Sequence, residues 1–142
     1  MKLQHLLIIF SFVTLIGCSD HELKTYNLKG ESDHWQGELI LEELSLEDTE
    51  NEKATTFFEF IGNNPVDINS ITVHSPVRTL GASGGSVSET FEKLPDDNIL
   101  ESEYINRYFL GLITPNNKIS FKITWLDGKT RQSEKIVLYL SE

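Results

Sequence analysis

The sequence predicts an all-β fold: an antiparallel β-sandwich of about six to seven strands with at most one short helix. Three observations carry that prediction. Apolar and polar residues alternate with a period of two in several runs, Gly, Pro, Asn and Asp clusters separate those runs at short intervals, and only one stretch repeats at helical spacing. The 142 residues are 39% hydrophobic and 24% charged, which suits one globular domain and gives no sign of internal repeats or a second domain.

The first element is not part of that fold. Met1 and Lys2 form a short basic start, and Leu6 to Ile16 is an apolar run interrupted only by Ser11 and Thr14. As a helix the run spans about 16 Å, well under the roughly 30 Å of a bilayer core, so it reads as a secretory signal and not as a membrane span. It ends in Leu15-Ile16-Gly17-Cys18, the pattern of a bacterial lipobox: a branched apolar residue, small residues, then the cysteine that is acylated and becomes the first mature residue. The expected division is a signal peptide over 1–17, a lipidated Cys18 and tether over 18–29, and a β-domain over 30–142. Cys18 is the lone cysteine, so its use for lipid leaves no disulfide and no thiolate metal site.

Trp35, Gly37, Leu39 and Leu41 alternate with Gln36, Glu38, Ile40 and Glu42, the pattern of a half-buried strand. Thr55 to Ile61 carries Phe57, Phe58 and Phe60 and closes at Gly62-Asn63-Asn64-Pro65, a turn sequence. Ile71 and Val73 mark a third run ending at Ser75-Pro76, and Val87 and Phe91 a fourth. Between Pro95 and Gly111, Leu100, Tyr104, Ile105, Tyr108, Phe109 and Leu112 recur at three- and four-residue steps, with Asp96 or Asp97 as an N-cap candidate. That spacing is helical, yet Tyr108 to Ile113 is rich in strand formers and precedes the turn sequence Pro115-Asn116-Asn117, so the expectation is a short helix or helical turn over Asn98 to Glu103, followed by a strand over Arg107 to Thr114.

The C-terminal hairpin is the clearest element. Ile119, Phe121, Ile123 and Trp125 alternate with polar residues before Asp127-Gly128-Lys129-Thr130, and Ile136, Leu138 and Leu140 follow. A tight turn at Asp127-Gly128 would set Glu134 opposite Phe121. A four-residue loop, Asp127 to Thr130, sets Ile136 opposite Phe121 and Leu138 opposite Ile119, and burial selects this second register.

Gly30-Glu31-Ser32-Asp33-His34-Trp35 behind a lipobox, with Ile123-Thr124-Trp125-Leu126-Asp127-Gly128-Lys129 and Glu134-Lys135-Ile136-Val137-Leu138 at the other end, resembles small uncharacterised immunoglobulin-like lipoproteins of Bacillus and its relatives. The resemblance implies an immunoglobulin-like sandwich at the outer face of the cell membrane. It brings no activity and no catalytic residues.

The composition excludes some functions and the motifs weaken others. A net charge of −10, falling to −11 once residues 1–17 are removed, argues against nucleic acid, whose phosphates need clustered Lys and Arg. The same charge should make the domain stand off an anionic bilayer. Gly81-Ala82-Ser83-Gly84-Gly85 fits Gly-x-Ser-x-Gly, but no helical pattern follows, so it reads as a loop and not as a hydrolase elbow. His21, His34 and His74 lack metal-ligand spacing, and the mature part has no methionine for a thioether site. His34 beside Trp35 has the makings of a ligand rim, although the preferred reading is a core Trp35 with a solvated His34. Two acidic clusters, Glu42, Glu43, Glu47, Asp48, Glu50 and Glu52 in one and Asp96, Asp97, Glu101 and Glu103 in the other, lack EF-hand order and read as solvated surface. The resulting expectation is a non-catalytic surface lipoprotein without cofactor or metal, engaging a protein or an envelope component. The alternative is an accessory lipoprotein that binds a small ligand or a divalent cation through its loops.

Overall fold

The computed structural model describes residues 22–47, 51–77, 85–106 and 109–142. The expected signal peptide and Cys18 lie outside them. The described residues form the all-β antiparallel fold, with eight strands: β1 (Thr25–Glu31), β2 (Trp35–Glu43), β3 (Glu52–Phe60), β4 (Ile68–Val77), β5 (Gly85–Lys93), β6 (Ile99–Ile105), β7 (Lys118–Asp127) and β8 (Thr130–Leu140). Their order in space is β5-β4-β7-β8-β1-β2-β3-β6, one sheet curled almost into a barrel around its inner face. Ladders are long throughout except where β8 meets β1, which pair only at Leu28↔Leu140 and Lys29↔Tyr139. That short seam is the narrowest junction between two four-stranded halves, β5-β4-β7-β8 and β1-β2-β3-β6, of one eight-stranded sheet, where a sandwich of six to seven strands was expected.

Alternation sends one side of every strand inward. Trp35, Leu39, Leu41, Phe58, Leu100, Ile71, Val73, Phe121, Ile123, Ile136 and Leu138 are all buried in one core. Leu28 of β1 belongs to it as well, so the sheet begins at Thr25, inside the segment assigned above to the tether. β1 runs so close to β8 that a side chain at Gly30 would meet the Val137 carbonyl oxygen at 2.0 Å, which only a glycine avoids. Across the interior the Ser75 and Tyr104 hydroxyls hydrogen-bond at 2.8 Å, tying edge strand β6 to β4 in the opposite half.

The hairpin register is the predicted one, with Phe121↔Ile136 and Ile119↔Leu138. Asp127 and Thr130 close the ladder around Gly128 and Lys129, and only Gly128 has positive φ (60°), as a type II′ turn requires of its first central residue. β4 passes through Pro76, beyond the expected stop. It pairs with β7 only as far as His74, so at Pro76 the ladder lies on one side and the missing N–H is tolerated.

The segment between Pro95 and Gly111 corrects the sequence reading. Residues 99–105 are strand β6, not a helix, and the helix α1 is Phe109–Ile113, where a strand was expected. A four-residue step satisfies both periods: Leu100 and Tyr104 share a strand face with buried Ser102 between them. Asn98 and Asn106, at φ 61° and 54°, bracket the strand with the left-handed backbone that asparagine tolerates. Asp97 does not cap a helix; its Oδ1 accepts the Ile99 N–H at 3.1 Å.

Candidate functional site

The two segments that carry the resemblance meet at one end of the curled sheet. The β1–β2 turn delivers Ser32 and His34, and β8 delivers Glu134, a hundred residues further along the chain. The Ser32 hydroxyl donates to Glu134 Oε2 at 2.7 Å, the His34 backbone N–H donates to the same oxygen at 3.2 Å, and His34 Nδ1 engages Oε1. An ionised carboxylate only accepts, so the His34 proton sits on Nδ1. Burial works against the charge on Glu134, but the hydrogen bonds from Ser32 and from the His34 ring and backbone outweigh it, and its pKa falls below the ordinary carboxylate value. Beneath this cluster Trp35 meets Phe60 and Trp125 edge-on, with centroids 5.2 and 5.6 Å apart, and the His34 ring lies over Phe60 and Trp125. Trp35 is core, as expected. His34 is half-exposed yet held, by the hydrogen bond between its ring and Glu134.

The wiring bears on chemistry. A serine nucleophile needs its hydroxyl on an imidazole whose far nitrogen is held by a carboxylate. Here the carboxylate sits in the middle and takes the Ser32 hydrogen bond itself.

A second region lies on the outer face of β4, β7 and β8. A shallow groove of about 540 Å³ is lined there by His74, Ser86, Ser120, Lys122, Ser133 and Lys135, with Glu134 reaching it from the inner face of β8. The register places His74 directly opposite Lys122, and Lys122 directly opposite Lys135. His74 Nδ1 is bonded to Ser88 Oγ at 2.8 Å. The outer positions of β7 and β8 add Lys118 and Arg131, and those of β4, β7 and β8 hold no carboxylate. The other half is the reverse: β1, β2, β3 and β6 present Glu31, Glu38, Glu42, Glu59, Glu101 and Glu103 outward against Lys29 and Lys53.

Of the acidic clusters, Asp48 and Glu50 lie outside the described residues, and Glu52 is not the solvated acid expected. It is 1% exposed, on the inner face of β3, and its carboxylate accepts the backbone N–H groups of Phe109 and Leu110 (3.1 Å for Leu110) at the start of α1. Burial raises its pKa; the two amide hydrogen bonds pull it down without cancelling that, and nearby Glu43 adds to the rise. Extending the Phe60, Phe58, Thr56 alternation two steps back to Ala54 and Glu52 places Glu52 inward, a signal present in the sequence. Asp96, Asp97, Glu101 and Glu103 are exposed. Among the described residues no three His, Cys, Asp or Glu side chains converge as metal ligands, and no helix is long and apolar enough to cross a membrane. His21 and residues 81–84 of the Gly-x-Ser-x-Gly stretch lie outside the described residues, while Gly85 opens β5.

No protein family, curated protein or solved structure matches the chain.

Proposed function

We propose that this chain is a bacterial surface lipoprotein, anchored to the cell membrane on its extracytoplasmic face by lipid on Cys18, whose β-domain is a non-catalytic binding module for a protein or an envelope component. The observation that carries the proposal is the lipobox Leu15-Ile16-Gly17-Cys18 behind an apolar run too short to span a bilayer. The fold is compatible with it. β1 starts at Thr25, so the seven residues from Cys18 reach at most about 25 Å, which bounds how far the acidic domain can stand off the bilayer.

Replacing Cys18 with Ala should leave unprocessed precursor and abolish metabolic labelling by palmitate. Equal labelling of both forms would refute the anchor. The groove on the outer face of β4, β7 and β8 favours a second reading, an accessory lipoprotein that binds a small ligand, with the β-sheet face in place of loops.

A further inference from the structure

We infer that the outer-face groove is a binding site for a phosphomonoester, a reading that rests on the second function above. Lys122 and Lys135 stand directly opposite each other on β7 and β8. Like charges in that position, with Cβ atoms about 5 Å apart, destabilise a sheet. The ion pairs among the described residues, Lys29–Glu38, His34–Glu134 and Lys53–Glu103, leave both lysines out. The chain has 22 acids for 12 bases, yet none of those acids stands on the outer positions of β4, β7 or β8, although Glu at either neighbouring position would relieve the repulsion. The pair sits inside a groove of about 540 Å³, large enough for a small organic ligand, and the carboxylate in its lining, Glu134, has its two oxygens taken by Ser32 and His34 and pairs with neither lysine.

The charge count selects the ligand class. Two ammonium groups a cross-strand distance apart are neutralised by one dianion, and a phosphomonoester carries a charge of about −1.5 to −2 at neutral pH. A carboxylate or a phosphodiester brings a single negative charge and leaves one lysine uncompensated. The neighbours fit a phosphoryl group: Ser120 and Ser133 supply hydroxyl donors beside the lysines, and Ser86 supplies one from β5. His74 has its Nδ1 on Ser88, which leaves Nε2 toward a ligand oxygen. The acidic half of the sheet, across the β8–β1 seam, repels the same anion and directs it to this face.

The test is titration calorimetry of the full chain in a neutral detergent with glycerol phosphate, and with dimethyl phosphate and sodium chloride at equal ionic strength. Saturable heat is expected with glycerol phosphate, with affinity at least about tenfold weaker for dimethyl phosphate. Lys122→Gln/Lys135→Gln should abolish that heat, and Lys29→Gln should keep it. Relief of the like-charge pair should leave the melting temperature of the double variant unchanged or higher, which separates a lost site from a lost fold. Equal response to the diester or to chloride, undiminished heat in the double variant, or association only with phosphatidylglycerol vesicles would each overturn the assignment. Glycerol phosphate recovered intact is the expected outcome. Its hydrolysis would refute the non-catalytic reading and leave the site standing, just as failure of palmitate labelling would remove the anchor without touching the calorimetry.

Discussion

Two carboxylates on the inner face, at opposite ends of the sheet, resolve the same difficulty in opposite ways. Glu134 reaches out to the rim, where a hydroxyl, an imidazole and a backbone N–H all donate to it, and its pKa is lowered. Glu52 points into the interior, meets among the described residues only the two N–H groups that open α1, and its pKa is raised. Hydrogen bonding to the charged form wins at one end and desolvation wins at the other. Burial alone therefore does not decide what a carboxylate does to this fold; the number and kind of donors does.

The largest effect expected is at the Glu134 end, from the aromatic cluster under it. Trp125→Ala empties a site that is 2% exposed and packed on Trp35, and should cost about 3 to 5 kcal/mol in chemical denaturation. A loss below about 0.5 kcal/mol, the range of surface substitutions, would show that the cluster does not support the rim. At the other end, Glu52→Ala strands two amides and should cost about 2 to 3 kcal/mol. Hydrogen exchange should quicken first at Phe109 to Ile113, while the Trp35 region keeps its protection. Uniform loss of protection would mean that α1 is not held separately by Glu52.

The pH dependence sharpens the contrast. Because the folded-state pKa of Glu134 is depressed, its contribution is present above the unfolded carboxylate value and is lost as pH falls through the folded value. Glu134→Gln should flatten that acid limb, at a cost of about 1 to 2 kcal/mol at neutral pH. Glu52 has the opposite sign. The folded chain binds its proton more tightly than the unfolded chain, so stability rises as pH falls through the folded value toward the unfolded one. Glu52→Gln should remove this rise, which is the smallest of these effects. Matching acid limbs in the two glutamine variants would erase the distinction between the two ends.

How far these features were legible differs by residue. The hairpin register could be read because one alternative set a carboxylate against Phe121, and that register already implied Lys122 opposite Lys135. β6 and α1 were exchanged because Leu100 and Tyr104, and Phe109 and Ile113, are each four apart, a step common to strands and helices. The bracketing asparagines were the only local clue. Glu52 was masked by its acidic neighbours, though its parity with Phe58 and Phe60 was available. Nothing local foretells that His34 meets Glu134, since it is the placing of β8 beside β1 that brings residues a hundred apart into contact.

The seam between β8 and β1 has a mechanical consequence. Under the proposed anchor at Cys18, a force pulling on β7 and β8 would enter the sheet at Thr25 and have to cross from one half to the other. Along β1 and β2 that load would be shared in shear by seven paired positions, from Thr25↔Glu42 to Glu31↔Gln36. Across the seam the ladder offers two, Leu28↔Leu140 and Lys29↔Tyr139, backed by side chains interlocked in the interior. Resistance to tension is a rate, set by how fast the first such contacts part, and in this fold the parting line runs between the half that begins at Thr25 and the half that carries the groove.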